Sequence, residues 1–345
     1  FISSRAAERS AMVRRRRRDG VVAMRWFVAL LALTRPAPGT GSESDFGSAL
    51  RDIASDAALE SDYVVAIRRE LHRAPELMWE ELGTSALVKR ELQSMGIEHR
   101  DVASPGVVGV IGTGGSPAVL LRADMDALPM QEESGAPHSS QNPGVFHGCG
   151  HDGHTTMLLG AAKHLAESRR FAGTVHFIFQ PAEEGLAGAR AMIEDGLFDR
   201  FPCEEVYGMH NWPQLGFGQM AVGSGPMMAA SDLIKIEIEG VGAHAAMPHR
   251  GVDPVYVASQ VISALQSLVS RSTNPADAAV VSITKVEAGS ASNVIPRLAT
   301  LTGTCRSFRP ETRDMLEAGV ERIASGVAAA RHGSPPRVES ARSSA

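Results

Sequence analysis

His147-Gly-Cys-Gly-His-Asp-Gly-His154 places three histidines, a cysteine and an aspartate within eight residues, separated almost only by glycine. Side chains of these types bind transition metals, and glycine lets the backbone bring them close together. Cys149 and His151 stand two apart and can project to the same side, which suits a shared metal ion. The plainer reading is a polar glycine-rich loop around a buried thiol. Immediately beyond it, Thr155 to Glu167 has the spacing of a helix.

Short apolar runs bounded by turn residues lie on both sides of this stretch: Val107 to Ile111, Val119 to Leu121, Val175 to Phe179 and Val206 to Met209. They predict buried strands, with helices between them at Thr155 to Glu167 and about 187–194. Strands alternating with helices imply an α/β sheet covered on both faces. Upstream, Asp62 to His72 predicts a helix stopped by Pro75, and Thr84 to Met95 a second one with Thr84 as N-cap and Gly96 just past its end. The chemically suggestive residues fall just after strand ends, where open α/β sheets place their sites.

Composition shifts near Gly223-Ser-Gly-Pro226, which reads as a linker. Beyond it come an alternating strand (Leu233 to Glu239), a helix opened by proline (Pro254 to Ser270), two strands (Val280 to Val286 and Ala299 to Arg306) and a helix from about Thr312. This order suggests a small α+β sandwich with its helices on one face. Residues 332–345 are polar and show no pattern.

The chain has 345 residues, 43% hydrophobic and 21% charged, with a net charge of −5. That is ordinary globular composition, long enough for two domains, and it argues against nucleic acid as the main partner. Three cysteines do not make a disulfide-stapled scaffold. The first 44 residues carry a basic run, Arg14 to Arg18, and an apolar run, Trp26 to Leu33, too short to span a bilayer. They read as a disordered extension or sequence upstream of the true reading frame, with a secretory or ER signal as the alternative; a cytoplasmic location is the favoured expectation, and stable membrane insertion is not expected.

Three further clusters complete the chemistry. Leu121-Arg-Ala-Asp-Met-Asp-Ala-Leu-Pro129 follows a strand, and Asp124 and Asp126 alternate, so only one of them need face a site. In Gln180-Pro-Ala-Glu-Glu-Gly185, adjacent carboxylates on extended backbone would point apart, one toward a metal and one toward a substrate. Metal-assisted hydrolysis needs that division: a Lewis acid for water and a carboxylate for its proton. Met209-His210-Asn-Trp212 adds an imidazole at a strand end.

Together with Gly208-Met-His210, Gly242-Ala-His-Ala-Ala-Met-Pro-His249 and Ser292-Asn-Val-Ile-Pro296, these motifs resemble the M20 metallopeptidase family, in its amidohydrolase branch of hippurate, N-acyl-amino-acid and auxin-conjugate hydrolases. The similarity runs from roughly residue 50 to 330. The resemblance implies a mixed-sheet catalytic domain over residues 45–226 and an inserted, ferredoxin-like lid or dimerisation domain over 227–331. It implies two divalent metal ions, Zn or Mn, held by Cys149, His151, Glu184 and His210, with Asp126 orienting a ligand. Glu183 would be the general base that activates water, His244 would polarise the scissile carbonyl in a partner subunit's site, and Asn293 and Arg306 would grip the substrate's free carboxylate. The implied reaction is hydrolysis of the amide bond of an N-acyl amino acid by a homodimer. Two departures accompany this. Gly148 stands where the family usually has alanine, and the family continues after the lid with a closing catalytic segment that carries a last histidine ligand. The expectation is therefore a C-terminally truncated chain, with an inactive, lid-mediated dimer as the alternative. A thiol hydrolase built on Cys149 and His151 is a weaker one, because it leaves Glu183, Glu184 and His210 unused.

Overall fold

The computed structural model describes residues 61–112, 116–185, 187–216, 219–332 and 337–342. The readings of the first 44 residues lie outside them. Contacts divide the chain at Met220/Ala221 into two compact units, a few residues before the glycine-rich stretch.

The first unit is built on a five-stranded sheet of β1 (Glu98–Asp101), β2 (Val107–Gly112), β3 (Ala118–Asp124), β4 (Thr174–Gln180) and β5 (Glu205–Gly208). Its order is β1-β2-β4-β3-β5, antiparallel across β1-β2-β4 and parallel across β4-β3-β5, so the sheet is mixed. The central strands are apolar nearly throughout because both faces are covered. Phe177, Phe179, Leu121 and Ala123 point into a core shared with helices α1 (Ser61–Arg73), α2 (Leu82–Ser94) and α3 (His151–Ser168). Ile178 and Leu120, one step along the same strands, point to the opposite face and meet Met192 and Leu197 of α4 (Gly188–Glu194) and α5 (Leu197–Arg200).

Two local expectations change. Thr84 does not cap α2: the Glu76 carboxylate instead takes the Gly83 and Thr84 N–H groups at 2.8 and 2.7 Å, and the helix begins at Leu82. A carboxylate at that end satisfies the same unpaired donors as a hydroxyl cap and complements the helix dipole. Gly96, at φ +70, sits just past the helix end as expected. The helix expected from Thr155 begins four residues earlier, at His151.

The second unit has a four-stranded antiparallel sheet of β6 (Ala230–Glu239), β8 (Ala279–Ala288), β10 (Leu298–Ser307) and β11 (Arg337–Arg342), in the order β11-β6-β10-β8. Helices α6 (Pro254–Ser267) and α7 (Pro310–His332) pack through Val261, Leu265, Leu316 and Val320 on Ile234, Ile236, Ile238 and Leu301. Asp253 caps α6, accepting from the Val255 and Tyr256 N–H groups, and Pro254 follows at the first helical position. The sequence β-α-β-β-α-β in this strand order is the ferredoxin-like arrangement. Its sixth element corrects the reading of residues 332–345 as unpatterned: His332 ends α7, and Arg337–Arg342 pairs along β6. An edge strand this polar, with Val338 packed on the core, has almost no sequence signature of its own; its partner strand supplies the pairing. A separate two-stranded ribbon joins β7 (Ala243–His244) to β9 (Val294–Ile295).

Candidate metal centre

Strands β3 and β4 run parallel and end together, with Asp124 opposite Gln180, and the start of α3 meets that edge. Gly150 makes the approach work. It sits at φ +89 before the helix, and a Cβ there would fall 2.6 Å from the Asn211 side chain. The loop, the helix start and the residues after β5 are thereby drawn onto one point.

At that point stands His151, fully buried. Its Nδ1–H donates to Asp126 Oδ1 at 3.2 Å, which leaves Nε2 buried with no hydrogen-bond partner. Glu184 Oε1 is buried without a partner too, 3.8 Å from His151 Nε2, and Glu183 lies 3.9 Å from the same nitrogen. Cys149 Sγ is 3.3 Å from His210 Nε2, and His210 Nδ1–H donates to the Asn211 carbonyl at 2.7 Å. Cys149, His151 and His210 thus offer one sulfur and two ring nitrogens within 4.8 Å of one another; His151, Glu183 and Glu184 form a second such group. An orphaned imidazole nitrogen facing an orphaned carboxylate oxygen and a thiol is the donor set of a borderline-soft divalent cation, and the residues fit such an ion.

In a third group, Asp124, His151 and His154, the distances are compatible, but Asp124 and His154 are already taken up by hydrogen bonds. His154 donates from Nδ1 to Asp124 Oδ1 at 2.6 Å and accepts the Asn211 N–H on Nε2 at 3.0 Å. Asp124 Oδ2 receives Arg122 at 2.8 Å, and Arg122 also reaches Gln180. His154 and Arg122 support the site, and Asp124 Oδ2 borders it at 3.7 Å from His151 Nε2. Sequence reasoning assigned no role to His154 or Arg122; the available signal was that His154 follows His151 by three residues on one helix face. Asp124 and Asp126 are both buried, and each holds a different histidine, because α3 presents His151 and His154 side by side.

The charges reinforce this picture. Burial disfavours an imidazolium at His151, yet Asp126, Cys149 and Asp124 together push its pKa up to about 11. Burial would raise Asp124, but the His154 hydrogen bond and Arg122 hold it well below the usual carboxylate range. Burial pushes Glu183 up, and neighbouring Asp124 adds to it. A pocket that draws a proton this strongly is suited to a cation.

The Glu183–Glu184 pair departs from the extended backbone expected of it. Ala182 has φ +49 and Gly185 φ +105, and the Gly185 N–H closes back on the Glu183 carbonyl at 2.7 Å. Both carboxylates therefore turn toward His151. Glu183 keeps its side chain 40% exposed and Glu184 23%, so Glu183 sits nearer the mouth.

In the second unit, His244 is exposed on β7, and the Ala245 N–H donates to the Asn293 carbonyl at 2.9 Å, so these two expected site residues are brought onto one ribbon. Arg306 lies half-buried on β10, where its guanidinium bonds the Thr304 hydroxyl and the Cys305 carbonyl of its own strand. Among the described residues, no helix is long and apolar enough to cross a membrane.

Residues 120–327 match the model of peptidase family M20/M25/M40. The chain is 48% identical over 264 residues to IAA-amino acid hydrolase ILR1-like 4 of Arabidopsis thaliana, covering 76% of this chain and 60% of that protein. It is 47% identical over 266 residues to the hippurate hydrolase of Campylobacter jejuni, covering 76% of this chain and 69% of that protein. The chain thus spans about three-fifths of the Arabidopsis relative. Among solved structures, the YXEP protein of Bacillus subtilis, described as a dinuclear metal binding peptidase from the M20 family, superposes with a TM-score of 0.65 at 38% identity, over 82% of this chain and 73% of that one.

Proposed function

The chain belongs to peptidase family M20/M25/M40, and from that premise we propose that it hydrolyses the amide bond of N-acyl amino acids with two divalent metal ions, zinc or manganese. The observation that carries this reading is the convergence of the unpartnered His151 Nε2 and Glu184 Oε1 with Cys149 and His210 on one point, with Glu183 beside them. Cys149, His151, Glu184 and His210 would hold metal, which when bound lowers the pKa of water and polarises a carbonyl. Asp126 accepts from both His151 and the Glu184 N–H, so it orients two of these ligands at once.

Glu183 takes the proton from the attacking water and hands it to the leaving amine. Its raised pKa suits that exchange, because a general base works best near the operating pH. His244 polarises the scissile carbonyl, and Asn293 with Arg306 binds the substrate's free carboxylate; the exposure of His244 and the bond from the next residue, Ala245 N–H, to the Asn293 carbonyl support a joint role on substrate. The second unit serves as lid and dimer contact, a reading supported by β8 lying at the edge of its sheet. The names of the relatives direct the choice of substrates to N-benzoylglycine and IAA-amino acid conjugates.

Dialysis against a chelator should abolish turnover of these amides, and Zn²⁺ or Mn²⁺ should restore it, with metal content measured in parallel. Turnover that persists in the metal-free protein would sink the proposal.

A further inference from the structure

One buried carboxyl next to the site has so far gone unused. Glu81 stands immediately before α2 and is 0% exposed. Its Oε1 accepts the Ala182 N–H at 2.7 Å, across 101 residues of sequence. Ala182 is itself buried, directly precedes Glu183, and has φ +49. For a residue with a side chain that left-handed conformation is unfavourable, and it persists where the surroundings impose it.

Three other bonds hold the same turn. The Ala182 carbonyl accepts the Gly188 N–H at 3.1 Å, the Glu183 carbonyl accepts the Gly185 N–H at 2.7 Å, and Asp126 Oδ2 accepts the Glu184 N–H at 2.9 Å. Asp126 has a second task in holding His151. Sinking a carboxyl in the core at that spot is costly without compensation, and the bond to the turn supplies part of that compensation.

We propose that Glu81 is a positioning residue for the reaction: by fixing Ala182 in the left-handed conformation, it sets the direction in which the Glu183 carboxylate leaves the turn. The proposal rests on the reading of Glu183 as the general base. It assigns Glu81 no contact with substrate. What matters is an oxygen acceptor at the reach of a glutamate, and not the negative charge.

Three variants of the metal-loaded protein test this with N-benzoylglycine as substrate. Glu81→Gln keeps an oxygen at the same reach and removes the acid; Glu81→Asp keeps the acid and withdraws the oxygen by one methylene; Glu183→Gln removes the base. Glu81→Asp should lower kcat about 100-fold, the size of loss that a misplacement of about 1 Å produces. KM and metal content should stay within about twofold, and Glu81→Gln should keep kcat within about threefold. Amide exchange at Ala182, Glu183 and Glu184 should quicken in Glu81→Asp while that of β4 stays unchanged.

Wild-type kcat in Glu81→Asp, or equal losses in the two Glu81 variants, would overturn the proposal. So would loss of metal in step with loss of kcat, since Glu81 would then be a general prop of the site. If Glu81→Asp fails to fold, amide exchange in Glu81→Gln decides: a protected Ala182 N–H supports the proposal and an unprotected one overturns it. Full turnover in Glu183→Gln would overturn the base reading beneath it, whereas an inactive Glu183→Gln beside an unimpaired Glu81→Asp overturns the positioning role alone.

Discussion

The two units share a construction, a sheet carrying packed helices, and differ in what they bury. Among the described residues, the second unit buries only three polar or charged side chains, Asp232, Ser307 and Thr312, against fourteen in the first. Polar burial is costly unless partners are supplied. In the second unit the few examples are structural, as where Arg313 grips Asp232 in a fork. In the first unit they crowd the ends of β3 and β4 and the start of α3, and some atoms still lack partners. The second unit instead carries His244 and Asn293 exposed on a short ribbon. The difference separates a preorganised centre from a surface that presents groups.

The largest expected effect sharpens that division. Glu183→Gln should lower kcat by about 10² to 10⁴ while leaving the melting temperature of both units in place. A matching loss of stability would break the comparison, because Glu183 would then belong to the structural polar groups. Core truncations come next: Phe177→Ala in the first unit should cost about 3–5 kcal/mol and Ile236→Ala in the second about 2–5 kcal/mol, read from denaturant titrations. If the units are energetically separate, Ile236→Ala leaves metal content untouched.

Glu81 supplies a pH test. Burial, opposed by the Ala182 N–H, pushes its pKa up to about 7 from 4.5. A raised folded pKa contributes stability that is fully present below the unfolded value and is lost as pH climbs through the folded one. Glu81→Gln cannot ionise, so between those two values wild type should lose up to about 3 kcal/mol relative to the variant. A flat difference across that window would show that Glu81 ionises freely in the fold.

The smallest pair is steric. A Cβ on Gly188 would meet the Pro181 carbonyl at 1.7 Å, and one on Gly303 the Ser282 carbonyl at 2.0 Å. Gly188→Ala and Gly303→Ala should each cost about 1–3 kcal/mol. Only Gly188→Ala, which pushes on the turn carrying Glu183 and Glu184, should also reduce metal content and turnover. Equal reductions from both would show that the centre depends on the second unit's sheet.

Much of this was legible in the chain. Apolar runs of strand length alternating with helical spacing mark the α/β unit, and clusters of ligand-type residues at strand ends mark the centre, because burial and metal chemistry restrict residue type directly. The missed features share a cause. The Glu183–Glu184 backbone is a turn because Glu81 and Asp126 hold it from other elements, and β11 is a strand because β6 offers it a ladder. Neither constraint leaves a local pattern.

The sequence by itself determined which residues could bind a cation and which segments must be buried, since both follow from side-chain chemistry and spacing. Tertiary structure alone decided which of them do different jobs. His151 and His154 are three residues apart on one helix, yet Asp126 leaves one with a nitrogen unpartnered and Asp124 and Asn211 close both nitrogens of the other. A hydrogen-bond partner fixes that choice, and the partners come from strand ends that only the folded sheet brings together.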